Sequence, residues 1–92
     1  FQPVERDFAF VVDRKIESET LIRAIKGVDK LIVRVEVFDV YEGENIETGK
    51  KSVALNVVIQ PVEKTLTDAE IEGLTAKIVS AVVGKTGGSL RS

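Results

Sequence analysis

The chain has 92 residues, 43% of them hydrophobic and 30% charged, with a net charge of −2 and an isoelectric point near 5.2. That balance fits one small folded domain and excludes disordered or low-complexity chains. The sequence contains neither Cys nor His, which removes disulfide frameworks, thiolate zinc sites and histidine-based hydrolases.

No apolar run approaches the roughly 18 residues of a membrane span, and the opening Phe1-Gln2-Pro3-Val4-Glu5-Arg6 is not a basic-then-apolar leader. The expectation is a single domain over residues 1–92, neither exported nor inserted, excised from a longer polypeptide. Domains that grip nucleic acid through phosphates are usually strongly basic, so any RNA contact by this acidic chain is expected to be local and weak in isolation.

The first predicted element is a strand over Arg6 to Asp13, rich in aromatic and β-branched residues, with Phe8, Phe10 and Val12 in one phase and Ala9 and Val11 in the other. Ser18 is placed to cap a helix of about Glu19 to Lys26, in which Leu21, Ile22 and Ile25 share a face and Gly27 takes a left-handed C-terminal position. Leu31 to Tyr41 reads as a strand whose phase breaks: Val33, Val35 and Val37 alternate one way, Phe38 and Val40 the other, and a bulge near Glu36 to Phe38 reconciles them. The next strand, Lys51 to Gln60, sets Val53, Leu55, Val57 and Ile59 against Ser52, Ala54, Asn56 and Gln60.

Between these strands Glu42 to Lys50 is a hairpin loop with two glycines. Thr67-Asp68-Ala69-Glu70 has the form of a capping box that opens a second helix, with Ile71, Leu74, Ile78, Val79 and Val82 at helical spacing and the Gly84, Gly87 and Gly88 cluster as its stop. Gly73 inside that helix costs roughly 1 kcal/mol relative to Ala, a cost that close packing would offset. Ser89-Leu90-Arg91 is long enough for a short last strand. The order β-α-β-β-α-β is the ferredoxin-like split pattern of an α+β fold: a four-stranded antiparallel sheet with both helices on one face. In that topology strands one and three are central, strand two is an edge, and the second sheet face is open.

If Phe38 and Val40 face the helices, Asp39 and Tyr41 face the open side beside Ser52, Ala54 and Asn56, with Ala9 as a small floor. A tyrosine ring offers a surface on which an unstacked base can lie, worth roughly 1–3 kcal/mol. A carboxylate at Asp39 can accept from the adjacent donors of a guanine edge, and the Ser52 hydroxyl can donate or accept. Lys50 and Lys51 at the strand mouth could hold phosphate. The plainer alternatives are a rim tyrosine, a solvated turn aspartate and lysines that serve solubility.

No catalytic set emerges. Glu42, Glu44 and Glu47 sit on a loop, and Asp68, Glu70 and Glu72 lie at a helix start, where negative charge is favoured. Gly84-Lys85-Thr86-Gly87-Gly88 follows a helix, whereas a phosphate loop follows a strand and precedes a helix. No metal site is expected.

The segments Arg6 to Val12, Phe38-Asp39-Val40-Tyr41-Glu42-Gly43, Gly49-Lys50-Lys51-Ser52, Thr65-Leu66-Thr67-Asp68 and Leu90-Arg91 together resemble the ferredoxin-fold anticodon-binding domain that closes the phenylalanyl-tRNA synthetase β subunit. The resemblance covers nearly the whole chain. It implies contact with the anticodon stem-loop of tRNA(Phe), with Tyr41 stacking on the first anticodon base, a guanine, and Asp39 and Ser52 hydrogen-bonding it. It also implies an α₂β₂ heterotetramer in the cytoplasm, using ATP and Mg²⁺ for chemistry located in the α subunit, with no cofactor in this domain and no DNA or membrane partner.

One departure is Pro61-Val62-Glu63-Lys64-Thr65, where the family often has Pro-Glu-Arg-Thr, so a contact made by that Arg does not carry over. The organellar single-chain enzyme ends in a related domain, and Arg6 to Val12 resembles the bacterial form more closely. Two other readings of the same topology are a small-molecule regulatory domain and a structural interaction domain.

Overall fold

The structure, a computed structural model, describes residues 1–91. Its elements follow the expected order: β1 (Val4–Asp13), α1 (Ser18–Lys26), β2 (Ile32–Tyr41), β3 (Lys50–Ile59), α2 (Asp68–Thr86) and β4 (Ser89–Leu90). The strands form one antiparallel sheet in the order β2-β3-β1-β4, with β3 and β1 central. No helix among the described residues is long and apolar enough to cross a membrane.

The alternating phase of β1 and β3 builds the core. Phe8, Phe10 and Val12 stand opposite Leu55, Val53 and Lys51, and facing residues of an antiparallel pair share a sheet face. Phe10, Val12, Val53, Leu55, Val57 and Ile59 are completely buried, as are Leu21 and Ile25 of α1 and Ile78 and Val82 of α2. Each such side chain contributes roughly 1.5–3 kcal/mol by leaving water. The Phe8 and Phe10 rings lie with centroids 6.0 Å apart and planes 15° from parallel.

The strand β2 carries two bulges where one was expected. Relative to β3, one register shift falls between Ile32 and Arg34 and a second between Val37 and Asp39. The extra residues, Val33 and Phe38, are 57% and 60% exposed. Phe38 is therefore not packed into the core. Val35, Val37 and Val40 pair with the core-side residues Val57, Leu55 and Val53 instead. Val40 remains 48% exposed on that face, and the molecule measures 44 × 20 × 20 Å.

Several local expectations change in the folded chain. Ser18 is the first helical residue, and the N-cap is Glu17, which makes no side-chain cap. The entry to α1 is shaped upstream, where Asp13 Oδ1 accepts from the Lys15 N–H at 2.9 Å and the Asp13 carbonyl from the Ile16 N–H at 3.0 Å. Gly27 stays right-handed, with φ −76°, because the chain leaves α1 by a further right-handed turn in which the Val28 N–H donates to the Ile25 carbonyl. Gly84 lies inside α2, which ends at Thr86, and Gly87 is the left-handed residue, with φ 72°. A side chain at Gly73 would meet nothing within 4 Å, so close packing does not explain that glycine.

The capping box forms as the sequence implies. Thr67 Oγ1 accepts from the Glu70 N–H at 3.1 Å, and Glu70 Oε1 accepts from the Thr67 N–H at 3.0 Å.

Candidate nucleic-acid interface

The sheet face away from the helices is built from the second phase of each strand. On β3 these residues are Lys50, Ser52, Ala54 and Asn56. Register places Asp13, Val11, Ala9 and Asp7 of β1 opposite them. From β2, Asp39 stands against Ala54 and Tyr41 against Ser52. The second bulge decides this, since the extra residue at Phe38 turns Asp39 and Tyr41 onto the open side. Without it, every side chain after Val37 would exchange faces.

Asp39, Tyr41 and Ser52 are thus neighbours, and Ala9 with Ala54 gives a floor of two methyl groups beside them. The Asp39 carboxylate is exposed. Tyr41 is 39% exposed. Its hydroxyl donates to the Glu44 carbonyl at 3.1 Å, so the ring is tied back to the hairpin loop. Ser52 is 4% exposed, the one buried polar side chain among the described residues, and its hydroxyl is already engaged.

The engaging group is Arg91, which the sequence pattern did not single out as a site residue. Its backbone N–H donates to the Ala9 carbonyl at 2.6 Å, extending the β4 pairing by one residue. Leu90 pairs with Phe10, so strand alternation turns Arg91 to the open face. The guanidinium then reaches across β1, and Nη1 donates to Ser52 Oγ at 3.3 Å. The available signal was the phase of the last strand: an apolar Leu90 on the core side requires Arg91 on the other.

The two lysines separate. Lys50 shares the phase of Ser52, whereas Lys51 shares that of Val53 and stands opposite Val12. They project to opposite sides of the sheet mouth. At the departure from the family's Pro-Glu-Arg-Thr run, Lys64 Nζ lies 3.0 Å from Glu70 Oε2, so this lysine serves the start of α2. Among the described residues, no cluster of three carboxylates is placed to hold a metal ion.

Electrostatically the site is mixed. An arginine and a lysine stand beside an exposed aspartate, a hydroxyl and an aromatic ring. Such a surface suits a neutral planar group with donors on its edge and an anion close by, as in a nucleotide.

Known proteins resemble this chain over nearly its whole length. Residues 1–91 match the family described as the ferredoxin-fold anticodon binding domain. The chain is 61% identical over 93 aligned positions to the phenylalanine–tRNA ligase beta subunit of Bradyrhizobium diazoefficiens, covering 100% of this chain and 12% of that protein. It is 61% identical to the corresponding subunit of Rhodopseudomonas palustris over 99% of this chain and 12% of that protein. For the subunit of Rhodospirillum rubrum the identity is 55%, over 100% and 12%. The chain therefore spans about an eighth of the length of these relatives.

Proposed function

The chain belongs to the ferredoxin-fold anticodon-binding domain family, and on that premise we propose that it reads the anticodon stem-loop of tRNA(Phe) as the C-terminal domain of a phenylalanyl-tRNA synthetase β subunit. The observation that carries this reading is the cross-strand pair of Tyr41 and Ser52 with Asp39 one position from it, on a sheet face that neither helix covers. In the reading, the tyrosine ring receives the first anticodon base, and the Asp39 carboxylate accepts from the two donors on the Watson–Crick edge of guanine. Ser52 and Arg91 bond the remaining acceptors, and Lys50 lies near the backbone phosphate.

The same reading makes this domain a non-catalytic part of a cytoplasmic ligase that joins phenylalanine to tRNA, as an α₂β₂ assembly with the α subunit. ATP and Mg²⁺ would serve that reaction in the catalytic portion of the enzyme. This domain positions the tRNA. A small-molecule regulatory role is not favoured, because the β1–α1 junction from Asp13 to Ser18 lacks the glycine such sites use for close backbone approach.

The test is Tyr41→Ala in the complete synthetase. Loss of a stacked base corresponds to roughly 1–3 kcal/mol, so the KM for tRNA should rise roughly fivefold to a hundredfold while phenylalanyl-adenylate formation is unchanged. Unaltered tRNA charging would refute the assignment.

A further inference from the structure

We propose that Gly43 is a positioning residue for base recognition: its missing side chain creates the seat in which the Tyr41 ring is held ready before RNA arrives. This inference rests on the RNA-reading role of Tyr41 proposed above and specifies how that role is performed.

Three observations converge. Gly43 has φ 138°, a conformation that side-chain-bearing residues rarely adopt. A Cβ built there would lie 3.2 Å from Tyr41 Oη and 3.4 Å from Cζ, so the outer end of the ring crowds the space that a side chain at Gly43 would need. One residue further on, the Glu44 carbonyl accepts the Tyr41 hydroxyl at 3.1 Å. The ring is thus seated by the loop and tethered at its tip.

An exposed tyrosine without these contacts would sample several orientations and would have to be fixed when a base docks. Fixing one mobile side chain costs binding roughly twofold to tenfold in affinity. The hairpin loop removes that cost in advance. Asn45, with φ 72°, and the bond from the Ile46 N–H to the Gly43 carbonyl at 3.1 Å close the turn that keeps the seat in place.

The chain has a single tyrosine and no tryptophan, so fluorescence excited beyond the phenylalanine absorption band reports on Tyr41 alone. In the 92-residue chain, NMR should show Gly43 Hα signals displaced by the ring current and cross-peaks from them to the Tyr41 ring. Gly43→Ala should abolish both and change the quenching of tyrosine emission by iodide.

In the complete synthetase, Gly43→Ala should raise the KM for tRNA roughly twofold to tenfold with kcat unchanged. Tyr41→Phe keeps the ring and the glycine but removes the tether. It should move KM in the same direction while leaving the melting temperature of the chain in place, and it decides the matter if Gly43→Ala disturbs folding. Gly73→Ala, on the helical layer, should leave KM unchanged. If Tyr41→Ala raises KM but Gly43→Ala and Tyr41→Phe both leave it at the wild-type value, positioning is refuted and base reading stands. If Tyr41→Ala itself has no effect, both fall.

Discussion

At the scale of single residues, the glycines of the second half of the chain behave in opposite ways, and their surroundings explain why. A Cβ at Gly88 would lie 2.5 Å from the Val11 carbonyl oxygen and 2.6 Å from Val12 Cγ1. The link from α2 to β4 can pass β1 only if that position has no side chain. Gly88→Ala is expected to cost about 1–3 kcal/mol, the usual range for forced overpacking, with the loss visible as a lower urea midpoint. Gly73 meets nothing within 4 Å and lies within a helix. There Ala should stabilise by up to about 1 kcal/mol by restricting the unfolded chain and favouring the helix, read in the same titration. Both residues are plain glycines in the sequence. What separates them is which backbone lies alongside, a relation between positions far apart in the chain. Arg91 illustrates the same limit, since its identity was visible and its placement over Ser52 depended on the pairing of β4 with β1.

At the scale of elements, α2 is the part whose start is written most locally. The capping box joins residues only three apart, so Thr67 and Glu70 could be recognised without tertiary information. Thr67→Ala should cost about 1 kcal/mol of stability. The Glu70 carboxyl titrates below the ordinary glutamate range, chiefly because it accepts from the Thr67 backbone N–H and then because of the hydrogen bond from Lys64. A depressed carboxylate favours the folded state above its unfolded pKa, and that contribution is lost as pH falls through the lowered value. Glu70→Gln should flatten this acid-side decline, measured by urea unfolding at neutral pH and at successively lower pH. The strand β2 is the contrary case. Its broken alternation disclosed the bulge at Phe38 but not the one at Val33, because Val33, Val35 and Val37 alternate regularly and nothing in their spacing marks an extra residue. Gly27 likewise carries the usual signature of a left-handed stop, yet the chain leaves α1 by a right-handed turn.

At the scale of the whole molecule, charge governs the expected mode of binding. With a net charge of −2, the domain lacks the positive field that draws nucleic acid from a distance. On the open face the cationic side chains are Lys50 and Arg91, since Lys51 projects to the other side, and two single-strand contacts give a slope of log affinity against log salt of about −1.4. Titration of the chain with an anticodon stem-loop across a salt series should yield that shallow slope. A slope steeper than about −5 would mean that a larger phosphate-binding surface had been overlooked. The division between sequence and structure follows from the range of the interactions. The sequence alone determined the element order, the core phase of β1 and β3 and the capping box, because each follows from periodicity or from contacts a few residues apart. It grouped Asp39, Tyr41 and Ser52 on the open face only on the condition that Phe38 and Val40 faced the helices, and Phe38 is an exposed bulge residue. Only the tertiary structure decided the bulge at Val33, the separation of Lys50 from Lys51, the Tyr41 seat on Gly43 and the arrival of Arg91 at Ser52. Those features depend on how far one strand slides along another and on how closely backbone and side chains approach. Such distances are settled when the sheet pairs and the core closes, and the residue pattern of a single segment does not encode them.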